Sequence, residues 1–151
     1  MTSKIVVLNG PSLNLLGSRE PEVYGSTTLD EIEAMCRERA AQRKLDLHFF
    51  RQTNHEGVLI DWVHEARAAG AAIVINPGAW ATTSVAIADA LKISEAPVIE
   101  VHISNIHRRE AFRHESYVSK VAKGVIAGLG YRSYLYAIEA AADFTANSNP
   151  S

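Results

Sequence analysis

A single cysteine, Cys36, is all the thiol chemistry that the 151 residues contain. One thiol excludes an intrachain disulfide and any cysteine-rich zinc site. Because Cys36 falls inside a helical pattern, it reads as a packed side chain. Long apolar runs are missing too. Met1-Thr2-Ser3-Lys4 leads straight into Ile5-Val6-Val7-Leu8, and that run is too short for a signal-peptide core. No stretch approaches the roughly 20 apolar residues that span a bilayer, so no membrane association is expected, and a cytoplasmic location is. An excess of one charge is also lacking: the formal net charge of −2 gives no general reason to bind nucleic acid or an anionic membrane. The chain has no Gly-x-x-x-x-Gly-Lys-Ser/Thr phosphate loop, Gly-x-Gly-x-x-Gly fingerprint, Gly-x-Ser-x-Gly elbow or His-Glu-x-x-His helix. His55-Glu56 lacks the second histidine, and His48 and His64 show no ligand spacing. No metal is expected.

The 47% hydrophobic content fits one globular domain with an ordinary core, expected over residues 1–144, followed by a polar, frayed tail at 145–151. Apolar runs rich in β-branched residues lie at 4–8, 45–50, 72–75, 97–102 and 124–129. Continuous rather than alternating hydrophobicity suits strands buried on both faces. Helical stretches lie at 29–44, 58–69, 84–93 and 131–143. Thr28 and Glu31 are placed as a capping box for the first, and Gly70 as the stop of the second. Four of these runs alternate with helices as βαβαβαβ, and with the fifth they predict an α/β fold, a five-stranded parallel sheet with helices on both faces. Ligands bind such sheets outside the carboxyl ends of the strands, which directs attention to loops 9–27, 52–57, 76–83 and 103–109.

Glu100-Val101-His102 closes the fourth run. Strand residues two apart share a face, with Cα atoms roughly 6.6 Å apart. Glu100 can therefore orient one imidazole nitrogen of His102 and leave the other for proton transfer. The first loop is long and carries Arg19-Glu20-Pro21-Glu22-Val23-Tyr24-Gly25. Tyrosine, with an ordinary pKa of about 10, is a poor base, but a nearby guanidinium favours the phenolate. Arg19 is the candidate partner, with Arg109 and Arg113 as further ones. A structural account also fits, in which Tyr24 packs the loop and Arg19 pairs with Glu20 or Glu22. Asn76-Pro77-Gly78, leading through Thr82, Thr83 and Ser84, offers amides, hydroxyls and a helix start to a carboxylate or hydroxyl group. Turn and cap chemistry explains the same residues. Arg109 and Arg113 are spaced i, i+4 and, with His107, Arg108 and His114, form a basic patch. That patch suits an anion or polyol clamp, or a plain solvated face; it is short and lacks the interleaved aromatics of a nucleic-acid site.

Together these segments resemble the type II 3-dehydroquinate dehydratases. The matching motifs are Asn9-Gly10-Pro11, Leu13-Asn14-Leu15-Leu16-Gly17, Arg19-Glu20-Pro21, Tyr24-Gly25, Asn54-His55-Glu56-Gly57, Asn76-Pro77-Gly78-Ala79, Glu100-Val101-His102-Ile103-Ser104-Asn105 and Phe112-Arg113-His114, in order across residues 4–140. The resemblance implies a flavodoxin-like subunit in a homododecamer, a tetramer of trimers. It also implies cofactor-free, metal-free trans-dehydration of 3-dehydroquinate to 3-dehydroshikimate through an enolate. By position, Tyr24 would be the base, supported by Arg19, and His102, oriented by Glu100, the acid. Asn76, Ser104 and the backbone of Ile103 would hold the substrate carboxylate, Arg113 the ring hydroxyls, and Asp89 would reach a neighbouring subunit's site.

Three positions depart from the family pattern. Ser12 stands where the family usually has asparagine, and Thr82 where it has a substrate-contacting histidine. Arg132-Ser133-Tyr134 lacks the usual glycine before tyrosine. Two other readings stay open on these grounds: a divergent relative acting on a related cyclitol or amino-dehydroquinate, and a catalytically silent binding protein of the same fold.

Overall fold

A computed structural model of the chain describes residues 2–146. Its strands are β1 (Lys4–Asn9), β2 (Asp46–Gln52), β3 (Ala72–Asn76), β4 (Val98–His102) and β5 (Gly124–Ala127). The α-helices are α1 (Pro21–Tyr24), α2 (Leu29–Gln42), α3 (Glu56–Ala68), α4 (Val85–Lys92) and α5 (Arg132–Ala146). All neighbouring strands pair parallel, in the order β2-β1-β3-β4-β5. The parallel sheet is the one expected from the alternating pattern, and its strand order is the flavodoxin-like one that the family resemblance implies.

The central strands explain why their sequences are apolar without a break. Ile5, Val7, Val74, Ile99 and Val101 pack against α2 and α5, while Val6, Leu8, Ile73, Ile75 and Val98 pack against α3 and α4. Each strand therefore feeds a core on both faces. The edge strands differ from that expectation: β2 exposes Asp46 and His48, and β5 exposes Val125. One flank of each is unpaired, and a single layer of helix cannot cover it.

The helix signals work as read. Thr28 and Glu31 form the reciprocal capping box of α2, and Gly70 takes φ 68° just past α3. Cys36 is fully buried in α2, and burial pushes its thiol up to about 12. Helix α5 takes in Thr145 and Ala146; the rest of the segment read as a tail, 147–151, lies outside the described residues. The β4–β5 crossover holds only short 3₁₀ turns, Ile106–Arg108, Ala111–Arg113 and Val118–Lys120. Its apolar residues are too sparse for a continuous helical stripe, and Phe112 points outward. Among the described residues no helix is long and apolar enough to cross a membrane.

Asn9 is the register partner of both Gln52 and Asn76, so β1, β2 and β3 end level. Connections leave β1 toward β2 on one side and reach β3 on the other. That divergence opens a crevice at the carboxyl edge of the sheet.

Candidate active site

The loop after β1 closes tightly onto the loop after β3. Gly10 N–H donates to the Asn76 carbonyl at 2.8 Å. A Cβ on Gly10 would stand 2.5 Å from the Pro77 carbonyl oxygen, so only glycine permits this approach. Ser12 follows in the left-handed region at φ 67°, its N–H donating to Asn54 Oδ1 at 2.9 Å. Gln52 Nε2 braces the turn by donating to the Gly10 carbonyl at 3.1 Å and to Asn54 Oδ1 at 3.0 Å. Pro21 then starts the single turn of α1, and Gly25 ends it. That turn presents Tyr24.

Two cations meet the Tyr24 ring. The Arg19 guanidinium lies 5.0 Å and that of Arg109 5.2 Å from its centroid. Arg109 Nη1 also donates to Tyr24 Oη at 3.0 Å and to Ser104 Oγ at 3.2 Å. One guanidinium thus ties the lid to the loop after β4.

His102 and Glu100 share one face of β4, as the two-residue spacing requires. His102 Nε2 lies 2.5 Å from Glu100 Oε2, which leaves Nδ1 as the other ring nitrogen. Glu100 is fully buried, and the Ser119 hydroxyl donates to its Oε1. Burial works against the charge. The bonds from His102 and Ser119, the charge of His102 and a smaller contribution from Ser116 outweigh it and hold the carboxyl below its usual range.

Behind the crevice, Tyr134 of α5 joins the ends of β1 and β3. Its hydroxyl donates to Asn9 Oδ1 at 2.7 Å and accepts from Asn76 Nδ2 at 2.8 Å. Asn76 Oδ1 accepts from Gly78 N–H at 3.2 Å. Burial pushes the Tyr134 phenol well above its ordinary range, against the Asn76 bond, so it stays a neutral donor. Among the described residues, no buried side-chain nitrogen or oxygen lacks a partner.

These groups surround a cavity of about 140 Å³. Of the residues expected at a site, Ser12, Arg19, Tyr24, Asn76, Thr82, His102, Ile103, Ser104 and Arg113 all line it. Glu100 stands behind His102 rather than on the wall, and Asp89 lies on the exposed side of α4, away from the cavity. Thr82 gives its hydroxyl proton to the Ala79 carbonyl at 3.0 Å. The Nε of Arg113 goes to Glu110. Three arginines and no carboxylate line the wall, so the cavity suits a small polar anion. Among the described residues there is no group of three or more histidine, cysteine or acidic side chains that could hold a metal. Arg109, one of the three arginines that the sequence offers to Tyr24, is the one bonded to its hydroxyl, while Arg19, the first candidate, lies over the ring. The support from Ser119 and Tyr134 was not assigned from the sequence.

The family description Dehydroquinase class II matches residues 3–142, a span that takes in every residue lining the cavity. The chain belongs to the class II dehydroquinase family. It is 63% identical over 132 residues to the 3-dehydroquinate dehydratase 2 of Agrobacterium fabrum, covering 87% of this chain and 89% of that protein. With the 3-dehydroquinate dehydratase 2 of Pseudomonas putida the identity is 59% over 138 residues, 91% of this chain and 92% of the relative. The crystal structure of a type II dehydroquinase from Propionibacterium acnes superimposes with a TM-score of 0.90 at 48% identity, covering 95% of this chain and 98% of the other. Membership in the family thus rests on sequence and on fold alike, over nearly the whole chain.

Proposed function

We propose that the chain is a type II 3-dehydroquinate dehydratase that eliminates water in trans fashion through an enolate, with Tyr24 as base and His102 as acid. The observation that carries this reading is the cavity wall: a phenol bonded to a guanidinium, a histidine backed by a buried carboxylate, and three arginines without a carboxylate.

Tyr24, acting as the base, takes the proton from C2 beside the C3 ketone. The C–H electrons pass into an enolate. As the enolate collapses, C1=C2 forms, the C1–O bond breaks, and the departing hydroxyl receives a proton from His102 and leaves as water. Proton return from Tyr24 to His102 through solvent resets the pair. The two groups divide the acid and base work by their surroundings, a guanidinium at one and a carboxylate at the other. Asn76, Ser104 and the Ile103 backbone hold the substrate carboxylate, and Arg113 the ring hydroxyls. Ser12 and Thr82 complete the wall near the enolate. Asp89 acts on a neighbouring subunit's site in a homododecamer of four trimers, and the enzyme works in the cytoplasm without cofactor or metal. Residues 1–144 form the catalytic domain.

An imine route would need an amine, and no lysine is among the residues that line the cavity. Borohydride added with substrate should therefore leave turnover intact and add no mass to the chain. Covalent trapping with loss of activity would overturn the enolate route.

Ser12 and Thr82 favour one second reading, a preference for a related cyclitol or amino-dehydroquinate. Thr82 spends its proton on Ala79, so it meets a ligand as an acceptor. Restoring asparagine at 12 and histidine at 82 should then raise 3-dehydroquinate turnover at the expense of the alternative substrate. A variant with no such exchange removes this reading.

A further inference from the structure

Glu100 is fully buried and has two oxygens to satisfy. Its register partners are Ile75 on β3 and Val125 on β5, neither of them titratable. His102, on its own strand, is the titratable group that faces it, at Oε2. Oε1 is met by the Ser119 hydroxyl, from the 3₁₀ turn Val118–Lys120 in the β4–β5 crossover. Ser116 holds that turn in place: its Oγ accepts from Val118 N–H at 3.1 Å and Ser119 N–H at 3.3 Å. Neither serine lines the cavity.

We propose that Ser119 is a positioning residue for the acid: its hydroxyl fixes Oε1 of Glu100, so that Oε2 stays aimed at His102. A buried carboxylate that loses its stronger serine donor, with only the smaller contribution of Ser116 left, either turns away to find another or takes up a proton. In both cases His102 loses its oriented anionic partner while the substrate-binding wall is untouched. The effect of losing the hydroxyl therefore belongs in kcat, with KM unchanged. Loss of a donor also raises the carboxyl's affinity for a proton, so the acid limb of the kcat/KM profile moves to higher pH.

The inference rests on the reading of His102 as the acid, and the test separates the two. Ser119→Thr and Ser119→Val have nearly the same shape and differ by the hydroxyl; Ser119→Ala serves if branching disturbs the turn. All are compared with His102→Ala on 3-dehydroquinate across pH, after circular dichroism confirms folding. Expected are a wild-type-like profile for Thr, and for Val and Ala a kcat lower by roughly tenfold to a hundredfold with the acid limb raised by about one pH unit. Val and Ala that match Thr in rate and profile, with His102→Ala inactive, overturn the role of Ser119 alone. Wild-type turnover in His102→Ala overturns the acid reading and this inference with it.

Discussion

Deleting one oxygen, in Tyr134→Phe, tests how the crevice is held open. The ring is fully buried and phenylalanine keeps its packing. What goes is the shared partner of two buried amides, Asn9 Oδ1 at 2.7 Å and Asn76 Nδ2 at 2.8 Å. Asn9 keeps its bond from Nδ2 to the Arg51 carbonyl and Asn76 keeps its bond from Gly78, so each amide is half stranded. A buried polar atom left without a partner costs about 1–3 kcal/mol, and two of them, less the relief of no longer burying a hydroxyl, cost about 2–4 kcal/mol. For a chain of this size that lowers Tm by roughly 4–16 °C. Urea unfolding at one fixed protein concentration measures it directly, as a lower midpoint with an unchanged slope. Asn76 also loses its fixed orientation at the cavity wall, so KM should rise. A midpoint equal to wild type would refute the reasoning, because it would mean that the amides find other partners at no cost.

The same logic extends to three other positions. Gly10→Ala drives a methyl to 2.5 Å from the Pro77 carbonyl and should cost about 1–3 kcal/mol in urea unfolding, with turnover lost; a stable, active variant contradicts the close packing of the two loops. Ser12→Asn places at φ 67° a residue that tolerates the left-handed region and should gain about 0.5–1 kcal/mol, seen as a raised Tm; no gain or a loss would count against strain there. Glu100, held below its usual range by its donors against the effect of burial, stabilises the fold fully above the unfolded value of about 4.3 and loses that contribution as pH falls through the folded value. Glu100→Gln should therefore flatten the acid-side fall in unfolding free energy below about pH 5, and parallel curves for variant and wild type would contradict it.

How far the sequence alone reached depended on the range of the forces involved. The three central strands were legible because burial on both faces demands unbroken β-branched runs. The cap at Thr28 and the stop at Gly70 were legible because they are set by backbone chemistry within a few residues. Glu100 and His102 were legible because a period of two decides which side chains meet. The half-exposed edge strands were not, since they depend on which flank the rest of the chain leaves uncovered. Contacts closed by the tertiary fold were reached only in part: Arg109 was one of three arginines offered to Tyr24, which it meets across 85 residues, whereas the bond of Tyr134 to Asn9, across 125, was out of reach. Ser119 lies only 19 residues from Glu100, but an irregular crossover sets its position and no periodicity records it.

The central claim is that this cavity removes water from 3-dehydroquinate with Tyr24 as the base. The direct measurement is a steady-state assay of the purified chain on 3-dehydroquinate, reading the ultraviolet absorbance of the conjugated enone, with folded Tyr24→Phe beside it. The account predicts turnover in the wild type, reduced by roughly a hundredfold to ten-thousandfold or more in the variant. Absence of turnover in the wild type, or equal turnover in the two, would contradict it.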